Sequence, residues 1–82
     1  MNLQEIKNRL NNHFSGDKVE AFDSRGTGDH FSVIIISNKF NDLPLVERHQ
    51  MIYNIFKQEI TTTIHALQIQ TYTYHEWKNK KT

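Results

Sequence analysis

The run "HFSVIIIS", residues 30–37, constrains this chain more than any other stretch. In an extended strand Phe31, Val33 and Ile35 fall on one side, and Ile34 and Ile36 on the other. A strand that is apolar on both sides belongs in the middle of a sheet, flanked by neighbours and covered on one face. The chain has 82 residues, so it forms one domain, which buries only about 60–65% of the surface it exposes when unfolded. It contains no cysteine, so no disulfide helps, and the core must come from well-patterned helices and strands around that central run.

The flanking sequence supplies those elements. Asn2 followed by Glu5 approximates a capping box. Leu3, Ile6, Leu10 and Phe14 then recur at helical spacing, and Gly16 in "SGD" ends the segment. "KVEAF", residues 18–22, reads as a short strand, and "DSRGTGD" as a flexible connection whose Gly26 and Gly28 permit positive φ. "NKFNDLP" forms a loop, with Asp42 a helix cap and Pro44 in the first helical turn. Leu45, Val46, His49, Ile52, Tyr53, Phe56 and Ile60 make the apolar stripe of a long helix.

"TTT" at 61–63 is a poor helix interior, so a turn is expected there, with at most a short second helix through Ile64–Ala66. The last strand runs from Leu67 to about Tyr74, with Leu67, Ile69, Thr71 and Thr73 on one face and Gln68, Gln70, Tyr72 and Tyr74 on the other. Residues 76–82 close as a loose basic tail. The first two strands pair as a hairpin, and the long helix is a right-handed crossover that brings the last strand in parallel to the central one. The expected architecture is a single α+β domain over residues 1–82, a three-stranded mixed sheet with helices on one face.

Charge and motif content narrow the function classes. Ten basic and nine acidic side chains give a net charge of +1, so no global field draws in nucleic acid or anionic lipid. The one local bias is Lys78, Lys80 and Lys81, which reads first as a solubilising end. No apolar run is long enough to span a bilayer, and "MNLQEIKNRL" is polar and helical rather than a signal or transit segment. A cytosolic or equivalent reducing compartment is the expectation. The sequence carries no cysteine nucleophile, no G-x-S-x-G, no phosphate-cradling loop and no H-E-x-x-H, and its glutamates are dispersed. It reads as a non-enzyme.

Four linked segments carry a family resemblance: "GDHFSVIIISNKF", "LVERHQMIYNIF", "TTTIHAL" and "TYTYHEW". Their order and spacing, from about Glu5 to Trp77, resemble the BolA family. That resemblance implies an αββααβ fold similar to a class II KH domain. It also implies two family roles: partnership with a monothiol glutaredoxin in handling a two-iron, two-sulfur cluster, and, for bacterial members, DNA binding in transcriptional control of stress response and cell morphology.

The resemblance assigns the I-H-A-L histidine, His65, as a cluster ligand. A second ligand, His or Cys, comes in this family from the loop between the first two strands. Here the only imidazole of that loop is His30, which takes the second role. From the residues alone His65 reads as a turn histidine bonded to a backbone carbonyl, and a structural role stands equally beside ligation for His30. With no cysteine the chain brings only nitrogen, so a glutaredoxin cysteine and the thiol of bound glutathione would complete the ligand set, and the isolated chain is expected to hold no cluster.

Two alternatives remain. The family resemblance of the R-H-Q segment implies that Arg48, on an exposed helix face beside His49, is a candidate phosphate contact together with Lys78, Lys80 and Lys81, although a solvated arginine is the plainer account. The KH gripping loop, G-x-x-G between two helices, is absent from "EITTTI", so DNA association is expected to be weak and salt-sensitive. The other alternative is a metal-free interaction module, an apo heterodimer with a glutaredoxin or a homodimer through Tyr72 and Tyr74 on the outer sheet face.

Overall fold

A computed structural model describes residues 1–60 and 62–80. Helix α1, Leu3–His13, begins at Asn2, whose side chain accepts from the Glu5 backbone N–H. It ends before Gly16, which takes φ +83°. Strands β1, Lys18–Asp23, and β2, His30–Ile36, pair antiparallel with Lys18 opposite Ile36. Strand β3, Ala66–Tyr72, lies parallel to β2 with His30 opposite Ala66 and Ile36 opposite Tyr72. The sheet order is β1-β2-β3, so the doubly apolar run is the central strand. The domain is α+β, built on a mixed three-stranded sheet, as its alternation requires.

The odd-numbered residues of β2 and β3 face the helices. Phe31, Val33 and Ile35 join Ile6 and Leu10 of α1, its C-cap Phe14, Ile52 and Phe56 in one core. Each such side chain contributes roughly 2–3 kcal/mol of burial. Leu67, Thr71 and Thr73 continue the same face and are buried.

The helical stripe differs from expectation. Helix α2 covers Leu45–Ile55, and its inward residues are Arg48 and Ile52. Leu45 and Val46 point outward, 60% and 79% exposed, and His49 is half-buried. Apolar spacing predicts the wrong edge of this helix because the inward slot is filled by a long cation with a partner from the far end of the chain. Asp42 is not a cap. It occupies the left-handed region at φ +63°, a conformation aspartate tolerates, and α2 starts at Pro44 without a side-chain cap.

Between α2 and β3 the described residues form successive turns rather than a second helix. Glu59 organises them. Its backbone carbonyl accepts from Thr63 and Ile64, while its carboxylate receives Arg9 of α1 at 2.7 Å. That contact holds the Glu59 carboxyl below its usual range. Thr61 lies outside the described residues.

A third helix, α3, Tyr74–Lys80, replaces most of the expected loose tail. Thr73 Oγ1 accepts from the Glu76 N–H and Glu76 Oε1 accepts from the Thr73 N–H, a reciprocal capping box. Trp77 of α3 packs edge-on against Tyr72, and Lys18 lies over its indole ring. Tyr72 and Lys18 flank Ile36 in register, so α3 closes the end of the second sheet face and Ile36 is fully buried.

Candidate functional site

The β1–β2 connection is shaped by Asp23, whose carboxylate oxygens accept from the Gly26 and Gly28 N–H groups, each at 2.9 Å. Both glycines take positive φ, +72° and +76°, as this tight path demands. The path sets Asp29 and His30 at the start of β2. On the neighbouring strand, the Arg9–Glu59 anchor and the buried Ile64 fix where β3 begins, and alternation turns His65 outward.

Asp29 joins the two. Its backbone carbonyl accepts from His65 N–H at 2.8 Å and from Ala66 N–H at 3.2 Å. Its carboxylate meets both imidazoles: Oδ1 lies 2.8 Å from His30 Nδ1, and Oδ2 lies 3.3 Å from His65 Nδ1. The rings stand edge-to-face with centroids 5.9 Å apart and an interplanar angle of 84°. His30 is mostly enclosed and His65 is 67% exposed at its side chain. The expected backbone-carbonyl partner of the His65 ring is replaced by this carboxylate.

The hydrogen bond to Asp29 fixes the tautomer of His30. The Asp29 carboxyl is drawn down to about 2, first by the Thr27 hydroxyl, which donates to Oδ1, then by the His30 imidazole, against a desolvation that pushes it up. An ionised carboxylate only accepts, so the His30 Nδ1 hydrogen-bonded to it carries the proton, whereas His65 Nδ1 stands 3.3 Å away without a hydrogen bond. Nε2 of the neutral His30 ring then keeps its lone pair, and neither His30 Nε2 nor His65 Nε2 has a hydrogen-bond partner among the described residues. Among the described residues no three His, Cys, Asp or Glu side chains are grouped to hold a metal ion, so this chain offers a pair of nitrogen donors and not a closed site.

The other sequence-predicted residues lie elsewhere. Arg48 is not solvated: it is 6% exposed, its Nε donates to the Leu43 carbonyl at 2.8 Å, and both terminal nitrogens meet Glu76. Its guanidinium also lies over Phe40. A phosphate would have to displace all of these, so Arg48 is a structural residue and the expectation of an exposed phosphate contact is corrected. Lys78 and Lys80 are exposed on α3, with the Lys80 ammonium over the rings of Tyr72 and Trp77, 4.9 and 5.5 Å from their centroids. Lys81 lies outside the described residues.

The structure adds Lys18, which composition had not singled out, to this cation–aromatic corner. The corner and the histidine pair sit at opposite ends of the β2–β3 ladder, six residues or about 20 Å apart. Asp29 and Thr27 are the site residues that sequence reasoning missed. The signal was the acidic residue directly preceding His30 in "TGDH".

The protein-family comparison matches residues 2–76 to the family described as BolA-like protein. The chain belongs to the BolA family. This BolA-family chain is 42% identical over 53 residues to the DNA-binding transcriptional regulator BolA of Escherichia coli, covering 65% of this chain and 50% of that one. It is 35% identical over 78 residues to the protein of the same name from Haemophilus influenzae, covering 92% and 76%. It thus spans about half the length of the first relative and three quarters of the second. Among solved structures BolA1 from Arabidopsis thaliana superposes with a TM-score of 0.81 at 27% identity, covering 90% of this chain and 93% of that one.

Proposed function

We propose that this BolA-family chain is a non-enzymatic adaptor that binds a monothiol glutaredoxin and shares a two-iron, two-sulfur cluster with it, through His65 and His30. One observation carries the reading: the imidazoles of His30 and His65, at neighbouring strand starts, stand 5.9 Å apart beside one carboxylate, which is hydrogen-bonded to His30 Nδ1 and 3.3 Å from His65 Nδ1.

Two imidazoles on one iron make a Rieske-like half of a cluster. The sequence has no cysteine to supply the thiolate half, so the sulfur ligands come from the partner, a glutaredoxin cysteine and the thiol of bound glutathione. A donor pair at an exposed strand end suits a junction between two proteins better than a buried cofactor site.

The test is co-expression with a monothiol glutaredoxin and glutathione, followed by visible absorption and circular dichroism of the purified pair. A coloured one-to-one complex whose spectrum changes in His65→Ala and again in His30→Ala is expected. A colourless pair, or spectra indifferent to both substitutions, overturns the ligand assignment.

A second reading, DNA-binding transcriptional regulation, is favoured by the names of the two bacterial relatives. In this chain it would rest on Lys18, Lys78 and Lys80 at the opposite end of the sheet. The two readings use separate surfaces and do not compete for residues.

A further inference from the structure

We propose that the free edge of β1 is a docking strand for an extended segment of another protein, which adds antiparallel beside residues 19–23 as a fourth strand. That segment carries acidic side chains toward α1, and apolar and basic ones toward Phe22 and Glu20. Neither imidazole takes part, so the docking strand is independent of the cluster reading above.

One contact fixes the hydrogen-bond phase of β1. The Ser24 N–H donates to the His30 carbonyl at 2.9 Å, and the register runs on through Phe22 opposite Ser32 and Glu20 opposite Ile34. In an antiparallel pair the bonded residues alternate, so Glu20 and Phe22 turn their N–H and C=O groups to β2. Val19 and Ala21 turn theirs outward, where they have no partner among the described residues. The other edge of the sheet is managed differently: on β3 the Tyr53 hydroxyl donates to the Leu67 carbonyl, and α2 packs alongside. β1 keeps an unbroken register, with no bulge and no proline to blunt it.

A groove of about 300 Å³ runs along this edge, lined by Val19, Glu20, Ala21 and Phe22 of β1 and by Lys7 and Asn11 of α1. Its two sides select the occupant. Val19 and Ala21 face the helices, and Lys7 makes that side of the groove cationic. On the other side Phe22, 50% exposed, offers an apolar surface next to the Glu20 carboxylate. Alternation along an added strand meets that pattern, with acidic residues facing α1 and apolar and basic ones facing away. A second copy of this chain fits poorly. Two-fold pairing puts both α1 helices on the same face of the joined sheet, with Lys7 near its own counterpart, and adjacent strands are only about 4.8 Å apart.

The probe is the synthetic peptide acetyl-TVEKET-amide, added to the isolated full chain and followed by ¹H–¹⁵N amide shifts. Paired antiparallel, its two glutamates lie opposite Ala21 and Val19, and its valine and lysine opposite Phe22 and Glu20. Saturable shifts centred on Val19, Ala21, Lys7 and Asn11 are expected. N-methylation of the first glutamate, whose N–H faces Ala21, should abolish binding, whereas N-methylation of the lysine, whose N–H faces away, should leave it within about twofold. The charge-swapped peptide acetyl-TVKEKT-amide should bind about 3-fold or more weakly, and Lys7→Glu should remove that preference. Ala21→Pro deletes the outward N–H where an edge strand tolerates proline, and it should lose binding while β1 stays paired to β2.

Equal loss from both N-methylations, or loss from neither, means a contact other than strand addition and overturns the proposal. So does the absence of saturable shifts, or shifts centred elsewhere on the chain. A concentration-dependent dimer that blocks the peptide makes this edge a contact between copies and overturns the choice of partner. If Ala21→Pro does not fold, the two N-methylated peptides and Lys7→Glu decide. None of these readouts involves iron, glutaredoxin or DNA, so failure of either functional reading leaves the result unchanged.

Discussion

Arg48 and Glu76 form a two-point ion pair across 28 residues of sequence, with Nη1 2.6 Å from Oε1 and Nη2 3.2 Å from Oε2. The guanidinium is the buried partner and the carboxylate the exposed one, 8% against 44%. The pair ties the middle of α2 to the first turn of α3. Because Glu76 also caps α3 through Thr73, one carboxylate serves helix start and helix docking together.

Removing the cation should therefore loosen α3 and destabilise the domain. Arg48→Ala is expected to cost about 2–4 kcal/mol, since it deletes two charge-assisted bonds and the bond to the Leu43 carbonyl. Arg48→Lys should recover less than half of that, because an ammonium cannot span both carboxylate oxygens and the carbonyl. Urea unfolding of the three proteins measures both numbers, and equal midpoints for wild type and Arg48→Ala would remove Arg48 from the structural account.

The same pair makes an acid-limb prediction. The Arg48 guanidinium, helped by the Thr73 amide, holds the Glu76 carboxyl below its usual range. A depressed folded-state pKa gives stability that is complete above the unfolded value, about 4.3, and is lost as pH falls through the lower folded value. Glu76→Gln should flatten the fall in stability on acidification through that window, measured as urea midpoint against pH. A variant curve parallel to wild type would contradict the assignment.

Thr71 presents the opposite case. It is buried at 5% exposure on the core face of β3, and its hydroxyl has no hydrogen-bond partner among the described residues. An unsatisfied buried hydroxyl costs about 1–3 kcal/mol, and valine removes it while keeping the branched shape. Thr71→Val is expected to stabilise the domain by about 1 kcal/mol, or roughly 4–8 °C in melting temperature. A loss of stability would mean that the hydroxyl has a partner, such as a buried water.

Sheet order was legible because β2 carries its alternation openly and only one arrangement covers both of its faces. The edge of α2 was not legible, since Arg48 reads as a surface residue until Glu76 arrives from another helix. The start of α3 had a readable signal, Thr73 three residues before Glu76, but its polar sequence resembled a frayed end. The histidines were found through family likeness, and the carboxylate that binds them was not. Its role depends on the β2–β3 register, which places His30 beside Ala66 and so brings residues 36 positions apart around Asp29.

If the ligand reading holds, cluster sharing should fail as the pH is lowered from 8 to about 5, because a protonated imidazole has no lone pair to give a metal. Asp29 stays ionised throughout that window, its carboxyl being held at about 2, so the loss reports the imidazoles and not their support. Visible circular dichroism of the glutaredoxin complex from pH 8 down to about 5 should show it. A complex equally populated across that range would speak against histidine ligation.

Nucleic-acid binding, if the second reading holds, should be electrostatic and confined to the α3 end of the sheet. Each lysine that contacts a phosphate contributes about 0.9 to the slope of log affinity against log salt on duplex DNA. Lys78→Ala with Lys80→Ala should therefore lower that slope by about 1–2 and weaken binding alike on unrelated sequences. Arg48, enclosed by Glu76, Leu43 and Phe40, has no free donor face for a phosphate. A destabilised but folded Arg48→Ala protein should keep the wild-type slope. Fluorescence anisotropy over a salt series on two duplexes of different sequence tests both statements, and a slope that drops with Arg48 but not with the lysines would place the contact surface on α2 instead.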